Sequence, residues 1–367
     1  MDMSEIVILT CPLEPAIHPA WKDWERNTVA WMERFHLDGE QRETGRLHCI
    51  TAGELAGRTA LGAVESSGPQ FASDSLMWLF AFDDAYCDEG RYSHSPSNMA
   101  ILVAEMIRIV ETGRTTSPSP CANALADLRR RLDDIAAPVQ IARWVHAMRG
   151  YLGYQVWEAA YRHTGAMPTI DEYAVARIRN GSMEVCAMAL DISEGYEVPA
   201  ADIDTAQVRA LTEIACCLVG LDNDLASYHK EHQRSTDRLN LVDVIAHERG
   251  QSPRDALPEV VAYRDTVLDL YLRLVDQVTP QVRPPTRRYI AGLSAWIRGN
   301  LDWSTHTGRY RNGDQATIQV ADIPPVPAPD FTPPAGVAWW WQRLHATPSA
   351  AEPTTVNAFA AMLARLA

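Results

Sequence analysis

Two groups of oxygen-bearing side chains follow apolar stretches of this sequence, and their spacing suits the binding of a divalent cation. The first group is Asp83, Asp84 and Asp88, at the end of a predicted helix over residues 71–88. Asp84 and Asp88 are four residues apart and therefore share one helix face. Their carboxylates suit Mg²⁺, which also bridges substrate phosphates. Acids at a helix C-terminus oppose the helix dipole, which favours a function, although a solvated helix end stays the alternative.

The second group lies near the end of a predicted helix over residues 205–231. Asn223, Ser227 and Glu231 are spaced by four residues each, so all three side chains point the same way. An amide, a hydroxyl and a carboxylate form an oxygen-only ligand set, which again suits Mg²⁺. Lys230 lies beside Glu231 and could reach a phosphate. Taken alone, this group could also be an ordinary polar helix end.

Helices must position both groups, because helical periodicity dominates the chain and no series of alternating strands is present. Several helices are apolar on more than one side, which indicates burial among other helices and an all-α fold. The predicted helices cover residues 21–35, 71–88, 97–112, 122–135, 140–163, 170–194, 205–231, 255–278 and 286–307.

Composition and charge exclude several classes of partner. The net charge is -14, so the protein's own field opposes binding of nucleic acid or an anionic membrane surface. An anionic substrate would need a metal ion or local cations. Seven cysteines without a C-x-x-C pair indicate reduced thiols rather than a disulfide framework or a zinc site. Neither a signal peptide nor a spanning apolar stretch is present, so we expect a cytoplasmic protein.

The composition changes after about residue 320, where prolines crowd a short segment. We therefore predict one catalytic domain over residues 1–320 and a flexible, proline-rich C-terminal extension over residues 321–367. The sequence leaves open whether the protein forms a homodimer.

The two groups together resemble the metal-binding motifs of the class I terpene synthases, in particular the bacterial terpene cyclases. The segment 83–88 is similar to the longer variant of their aspartate-rich motif. The segment 223–231 matches every fixed position of their second motif, N-D-x-x-S-x-x-x-E. The resemblance covers roughly residues 10–312 and implies an all-α, single-domain helical bundle around a central apolar cavity.

Other positions follow the same resemblance. Arg177 is similar to the arginine that senses diphosphate, and Asn180 and Gly181 occupy the linker and effector positions. The linker is commonly an acid, so Asn180 departs from the pattern. Arg309 and Tyr310 resemble the pair that contacts diphosphate when the site closes.

The resemblance therefore implies roles for a set of residues and three bound Mg²⁺ ions. The expected metal ligands are Asp83 first, then Asp84, Asp88, Asn223, Ser227 and Glu231. The expected diphosphate ligands are Arg177, Lys230, Arg309 and Tyr310. The expected catalytic residues are Asp83, Arg177, Gly181, Phe80 and Trp303, with Trp78 and Trp157 as further aromatic candidates for contact with a cation.

The implied function is a lyase that ionises a linear all-trans isoprenyl diphosphate and cyclises the carbocation to a sesquiterpene or diterpene. Farnesyl diphosphate is slightly favoured over geranylgeranyl diphosphate. A chain-elongating prenyltransferase is the nearest alternative, but such enzymes carry two D-D-x-x-D motifs. A binding protein that holds isoprenoid diphosphates without turnover is the second alternative.

Overall fold

A computed structural model describes residues 6–38, 47–87, 90–234, 239–310 and 317–344. The protein is all-α, as predicted. The helices are α1 (Trp21–Phe35), α2 (Ala52–Thr59), α3 (Ser67–Phe82), α4 (Pro96–Thr112), α5 (Pro120–Ile135), α6 (Pro138–Thr164), α7 (Ile170–Asn180), α8 (Met183–Ala187), α9 (Leu190–Ser193), α10 (Ala200–Ile203), α11 (Ala206–Arg234), α12 (Leu241–Arg249), α13 (Pro253–Val278) and α14 (Pro284–His306).

The long helix α11 lies at the centre of the bundle and packs against α7, α8, α13 and α14. Its segment Ile214–Leu218 is fully buried, because apolar side chains occupy every face there. Five of the predicted helices begin in the structure one or two residues before the predicted start. Each begins at a proline, whose missing N–H is harmless in the first turn of a helix. These prolines are Pro96, Pro120, Pro138, Pro253 and Pro284.

The predicted helix over residues 170–194 is broken into α7, α8 and α9, so the prediction of one continuous helix is wrong. The break follows Asn180, where Gly181 ends α7 and Ser182 adopts a left-handed conformation with φ of 60°. A left-handed residue cannot continue a right-handed helix. Periodicity alone missed the break because Gly181 is the only breaker residue in an otherwise helical pattern.

Two short parallel strands connect the N-terminal segment of the described chain to the segment that follows the last helix. β1 (Val7–Thr10) pairs with β2 (Ile318–Ala321), with Val7 opposite Ile318. Each strand has four residues, too few for an alternating pattern to stand out in the sequence. The sequence boundary at residue 320 falls inside β2, so the sheet crosses the predicted domain limit.

The segment after β2 packs against the helices rather than extending flexibly as far as residue 344. Trp340 is fully buried and its Nε1 donates to Glu213 at 2.9 Å. The Phe331 ring stacks on Tyr263 with centroids 5.2 Å apart. The predicted flexibility is therefore wrong for residues 321–344, because aromatic side chains between the prolines anchor the segment. Residues 345–367 lie outside the described part of the chain.

None of the helices in the described ranges combines the length and apolar character needed to cross a bilayer.

We expect Trp340→Ala to lower the free energy of unfolding by about 3–5 kcal/mol, because the indole is fully buried and hydrogen-bonded. The neighbouring half-buried Trp339 is the matched control, and Trp339→Ala should cost clearly less. Urea denaturation followed by circular dichroism measures both. Equal small losses would show that the C-terminal segment contributes nothing to stability.

Candidate active site

One cavity brings together Asp83 of the first sequence group, the second group Asn223, Ser227 and Glu231, and two of the predicted basic residues, Arg177 and Arg309. It lies between α2, α3, α6, α7, α8, α11 and α14. Its polar lining includes Asp83, Tyr151, Glu158, Arg162, Arg177, Asn180, Ser182, Asn223, Asp224, Ser227, Glu231, Asn300, Arg309 and Tyr310. Its apolar lining includes Leu55, Leu76, Leu79, Phe80, Met183, Val219, Trp296 and Trp303. The predicted groups therefore face one space from opposite sides of the bundle.

Arg177 is held tightly against α11. Its Nε and Nη2 donate to the Gly220 carbonyl at 3.2 and 3.0 Å, and Nη2 also donates to Asn223 Oδ1 at 2.7 Å. Nη2 is 2.8 Å from an Asp224 carboxylate oxygen. A Cβ on Gly220 would lie 2.8 Å from Arg177 Cγ, so only glycine permits this approach.

The electrostatics keep Arg177 charged. Burial alone would lower its pKa, but the carboxylate of Asp224 raises the pKa above its ordinary value. The predicted contact with the linker position is present: Arg177 Nη1 donates to Asn180 Oδ1 at 3.3 Å. Gly181 lies against the same guanidinium, since a Cβ there would be 3.3 Å from Arg177 Nη1.

Asp224 has a structural role that the motif spacing did not reveal. It is 2% exposed and accepts hydrogen bonds from the Tyr173 hydroxyl at 2.8 Å and the Leu241 N–H at 3.2 Å. Burial raises its pKa, while Arg177 counteracts that rise. Asp224 thus ties α11 to α7 and to the start of α12.

The members of the second group are fixed by hydrogen bonds to one another and to residues outside α11. Ser227 Oγ donates to Glu231 Oε1 at 2.5 Å, and Asn240 Nδ2 donates to Glu231 Oε2 at 3.0 Å. Asn223 Nδ2 donates to the Tyr310 hydroxyl at 2.6 Å. Sequence reasoning missed Asn240, although an asparagine before an apolar run is a typical helix N-cap.

The first group lies in a single π-helical turn, Asp83–Cys87, that continues α3. The Arg309 Nη1 donates to both oxygens of Asp84 at 3.0 Å, and Nη2 donates to Asp83 at 3.1 Å. The Asp84 carboxylate is almost fully buried, whereas the Asp83 side chain is 36% exposed and lines the cavity. Asp84 therefore faces Arg309 and Asp83 faces the open space. Asp88 and the side chain of Lys230 lie outside the described part of the chain.

Aromatic rings surround the Arg309 guanidinium and continue into the apolar wall. Phe80 stacks on Trp303 with centroids 5.5 Å apart, and Trp303 meets Tyr310 edge-on at 5.6 Å. The Arg309 guanidinium lies 4.8 Å above the Phe80 ring. Trp303 Nε1 donates to the Ile50 carbonyl at 2.8 Å, which fixes the indole. Burial raises the pKa of Tyr310 to about 12, so its hydroxyl stays protonated at neutral pH.

Two further aromatic candidates from the sequence lie elsewhere. Trp78 is buried in the core, where its Nε1 donates to the Cys121 carbonyl at 2.8 Å. Trp157 lines a separate surface groove with Tyr154. Neither ring lines the cavity, because each lies on a helix face turned away from it. The prediction that they contact a cation is therefore wrong.

Sequence reasoning also missed an ion pair inside the cavity. Arg162 and Glu158 on α6 are 3.0 Å apart, and both side chains are about one-tenth exposed or less. Arg162 Nη1 donates to the Cys87 carbonyl at 3.1 Å, which holds the end of the π-helical turn. Their spacing of four residues on one helix was the available signal.

The donor chemistry fits a hard divalent cation. Asp83, Asn223, Ser227 and Glu231 offer carboxylate, amide and hydroxyl oxygens, the ligand types that Mg²⁺ prefers. Within the described ranges, however, no three His, Cys, Asp or Glu side chains converge on one point. An ion held between the two groups would therefore need further oxygens from water or from substrate phosphate.

Comparison with known proteins agrees with this geometry. Residues 74–298 match the family model described as terpene synthase family 2, C-terminal metal binding. The chain is 38% identical to (+)-(1(10)E,4E,6S,7R)-germacradien-6-ol synthase of Streptomyces pratensis, over 92% of this chain and 96% of that protein. It is 35% identical to (+)-T-muurolol synthase ((2E,6E)-farnesyl diphosphate cyclizing) of Streptomyces clavuligerus, over 90% and 81% of the two chains.

A solved structure agrees as well. A mutant of the SVS_A2 protein from ancestral sequence reconstruction is 32% identical, with a TM-score of 0.84 over 92% of this chain and 99% of that chain. The region that matches the family model contains Arg177 and both groups of oxygen-bearing side chains, at residues 83–88 and 223–231. On this evidence the chain belongs to terpene synthase family 2 and is a class I bacterial terpene cyclase.

Proposed function

We propose that this terpene cyclase ionises a linear all-trans isoprenyl diphosphate with Mg²⁺, cyclises the carbocation to a sesquiterpene or diterpene, and releases diphosphate. One observation carries the proposal: carboxylates, amides and arginines line part of a cavity whose other lining residues are apolar and aromatic. Such a division suits a substrate with a charged head and a hydrocarbon tail.

We assign the metal ligands to Asp83 on one side and to Asn223, Ser227 and Glu231 on the other. Three Mg²⁺ ions are expected, and Asp88 is a further candidate ligand. Bound Mg²⁺ would neutralise the charge that develops on the leaving diphosphate. We assign Asp84 to positioning Arg309, because both of its oxygens accept from that guanidinium.

We assign Arg177, Lys230, Arg309 and Tyr310 to the diphosphate. A guanidinium presents a planar fork that matches phosphate oxygens, so Arg177 and Arg309 can orient the head group as well as balance its charge. Arg309 would exchange part of its pairing with Asp83 for the phosphate. That exchange would leave Asp83 available to a metal ion.

Ionisation breaks the bond between the allylic carbon and the diphosphate oxygen, and the electron pair leaves with the diphosphate. The cation must then be kept from bulk water, and the apolar wall serves that purpose. The faces of Phe80 and Trp303 can stabilise positive charge as it moves along the chain. The Gly181 carbonyl, next to Arg177, is our candidate for the effector oxygen.

Farnesyl diphosphate is the favoured substrate, which the farnesyl diphosphate-cyclising relative from Streptomyces clavuligerus supports. Geranylgeranyl diphosphate is the alternative. Incubation with the ten-, fifteen-, twenty- and twenty-five-carbon diphosphates, followed by gas chromatography and a diphosphate assay, tests the proposal. Diphosphate release without cyclic products, or no release from any of them, would contradict it.

Turnover should depend on Mg²⁺ and should stop when a chelator removes it. Asp83→Ala and Glu231→Ala should each lower turnover by about 100-fold or more, because each removes a ligand from one side of the site. Glu65→Ala changes an exposed acid outside the cavity and is the control. Near-normal turnover by either site variant, with an unchanged circular dichroism spectrum, would exclude that residue as a ligand.

Arg177→Lys should lower the turnover number by about tenfold or more while the ratio of products stays the same. Lysine keeps the charge but cannot reproduce the contacts with both Gly220 and Asn223. The ratio of products is set after the diphosphate has left, so a lower turnover number should not change that ratio. A changed product ratio at a normal rate would contradict this assignment.

Phe80→Leu should change the ratio of products by about five- to tenfold with a smaller effect on substrate consumption, since leucine keeps apolar volume but removes the aromatic face. Phe35→Leu is a matched control. Both rings are half-buried and both carry an arginine 4.8 Å away, but Phe35 lies outside the cavity. Gas chromatography of both product mixtures decides, and identical mixtures would remove Phe80 from contact with the cation.

A further inference from the structure

The inner face of α14 carries a polar side chain between two tryptophans. Trp296, Asn300 and Trp303 are spaced at four and three residues, so they lie on one helix face, and all three line the cavity. Asn300 is 6% exposed, which places its amide inside the bundle.

The side-chain nitrogen of Asn300 lacks a protein partner. Nδ2 is buried and donates to no acceptor within the described part of the chain. A buried donor without a partner costs about 1–3 kcal/mol, so native proteins normally satisfy it with a protein group or an ordered water. A water molecule needs space and polar partners, and the cavity that Asn300 lines supplies the space.

The helices packed against α14 contribute apolar side chains to the lining, Leu55 from α2 and Val219 from α11, and α3 adds Leu76 and Leu79. The hydroxyls of Tyr151 and Ser182 also line the cavity, but they lie on α6 and at the start of α8 rather than on α14. The carboxylates lie with Arg177 and Arg309, in the part of the lining that we assign to the diphosphate. Asn300 therefore offers a hydrogen-bonding group on the helix that also carries the tryptophans of the apolar wall.

We propose that Asn300 binds a water molecule that adds to the cyclised carbocation, so that the main product is a terpene alcohol. The proposal rests on the function proposed above. The amide would hold the water through one hydrogen bond and aim an oxygen lone pair at the cationic carbon. A side-chain amide suits this task because it can orient water without carrying a charge that would itself attract the cation.

The step balances without a further reactant. The water oxygen forms a bond to the cationic carbon with one of its lone pairs, which gives a protonated alcohol. The protonated alcohol then loses a proton to the released diphosphate. Without the bound water, the cation loses a proton from a neighbouring carbon to the same diphosphate and a hydrocarbon forms. Asn300 would thus decide between two products of one cation.

The test compares the wild-type enzyme with Asn300→Leu, which has the same number of side-chain heavy atoms but no polar group. Each is incubated with Mg²⁺ and farnesyl diphosphate, and separately geranylgeranyl diphosphate, in water enriched in ¹⁸O. We expect a wild-type alcohol carrying ¹⁸O, and a ratio of alcohol to hydrocarbon that falls by about tenfold in the variant. Diphosphate release should change much less. Mass spectrometry and a phosphate assay measure the two quantities.

Ser304→Ala is the matched control, since Ser304 is also buried without a partner on α14 but does not line the cavity. Its product ratio should equal that of the wild type. Asn300→Val, with a smaller side chain, replaces the leucine variant if that one fails to fold. A wild-type product that is hydrocarbon alone, or an unchanged ratio in the folded variant, would overturn the proposal while diphosphate release still supports the cyclase. No diphosphate release from wild type would overturn both.

Discussion

The contact between Arg177 and α11 is the interaction on which the arrangement of the site depends. Arg177 orients Asn223, Asn223 donates to Tyr310, and the adjacent Arg309 pairs with the aspartate-rich turn. A single series of polar contacts thus connects Asn223 of the second group to Asp83 and Asp84 of the first group. It exists only because Gly220 lets the guanidinium approach the helix backbone.

Arg309 couples the polar part of the cavity to its aromatic wall. It pairs with the carboxylates of Asp83 and Asp84 and at the same time lies over the Phe80 ring. A guanidinium can do both, because its edge donates hydrogen bonds while its face stacks. If Arg309 moved towards a phosphate, its contact with the Phe80 ring would change as well. Ionisation and control of the product are therefore physically linked at Arg309.

The back of α11 is fixed by a second buried network. Asp222, the residue before Asn223, accepts from Arg264 Nε at 2.8 Å, and both side chains are fully buried. Arg264 also donates to the Thr10 carbonyl of β1. Leaving one member of such a pair uncompensated costs about 3–5 kcal/mol, so the N-terminal strand helps hold the helix that carries Asn223, Ser227 and Glu231.

The sequence by itself determined the helical class and most helix positions, because these follow from local periodicity. It also predicted the two groups of oxygen-bearing side chains from their fixed spacing. The interval 21–35 coincides with α1. Tertiary structure decided what spacing cannot encode. It separated Asp83, which lines the cavity, from Asp84, which faces Arg309. It anchored residues 321–344 through Trp340 and left the side-chain nitrogen of Asn300 without a partner in the described part of the chain. Each depends on contacts between residues far apart in the chain, and such contacts leave no periodic signal.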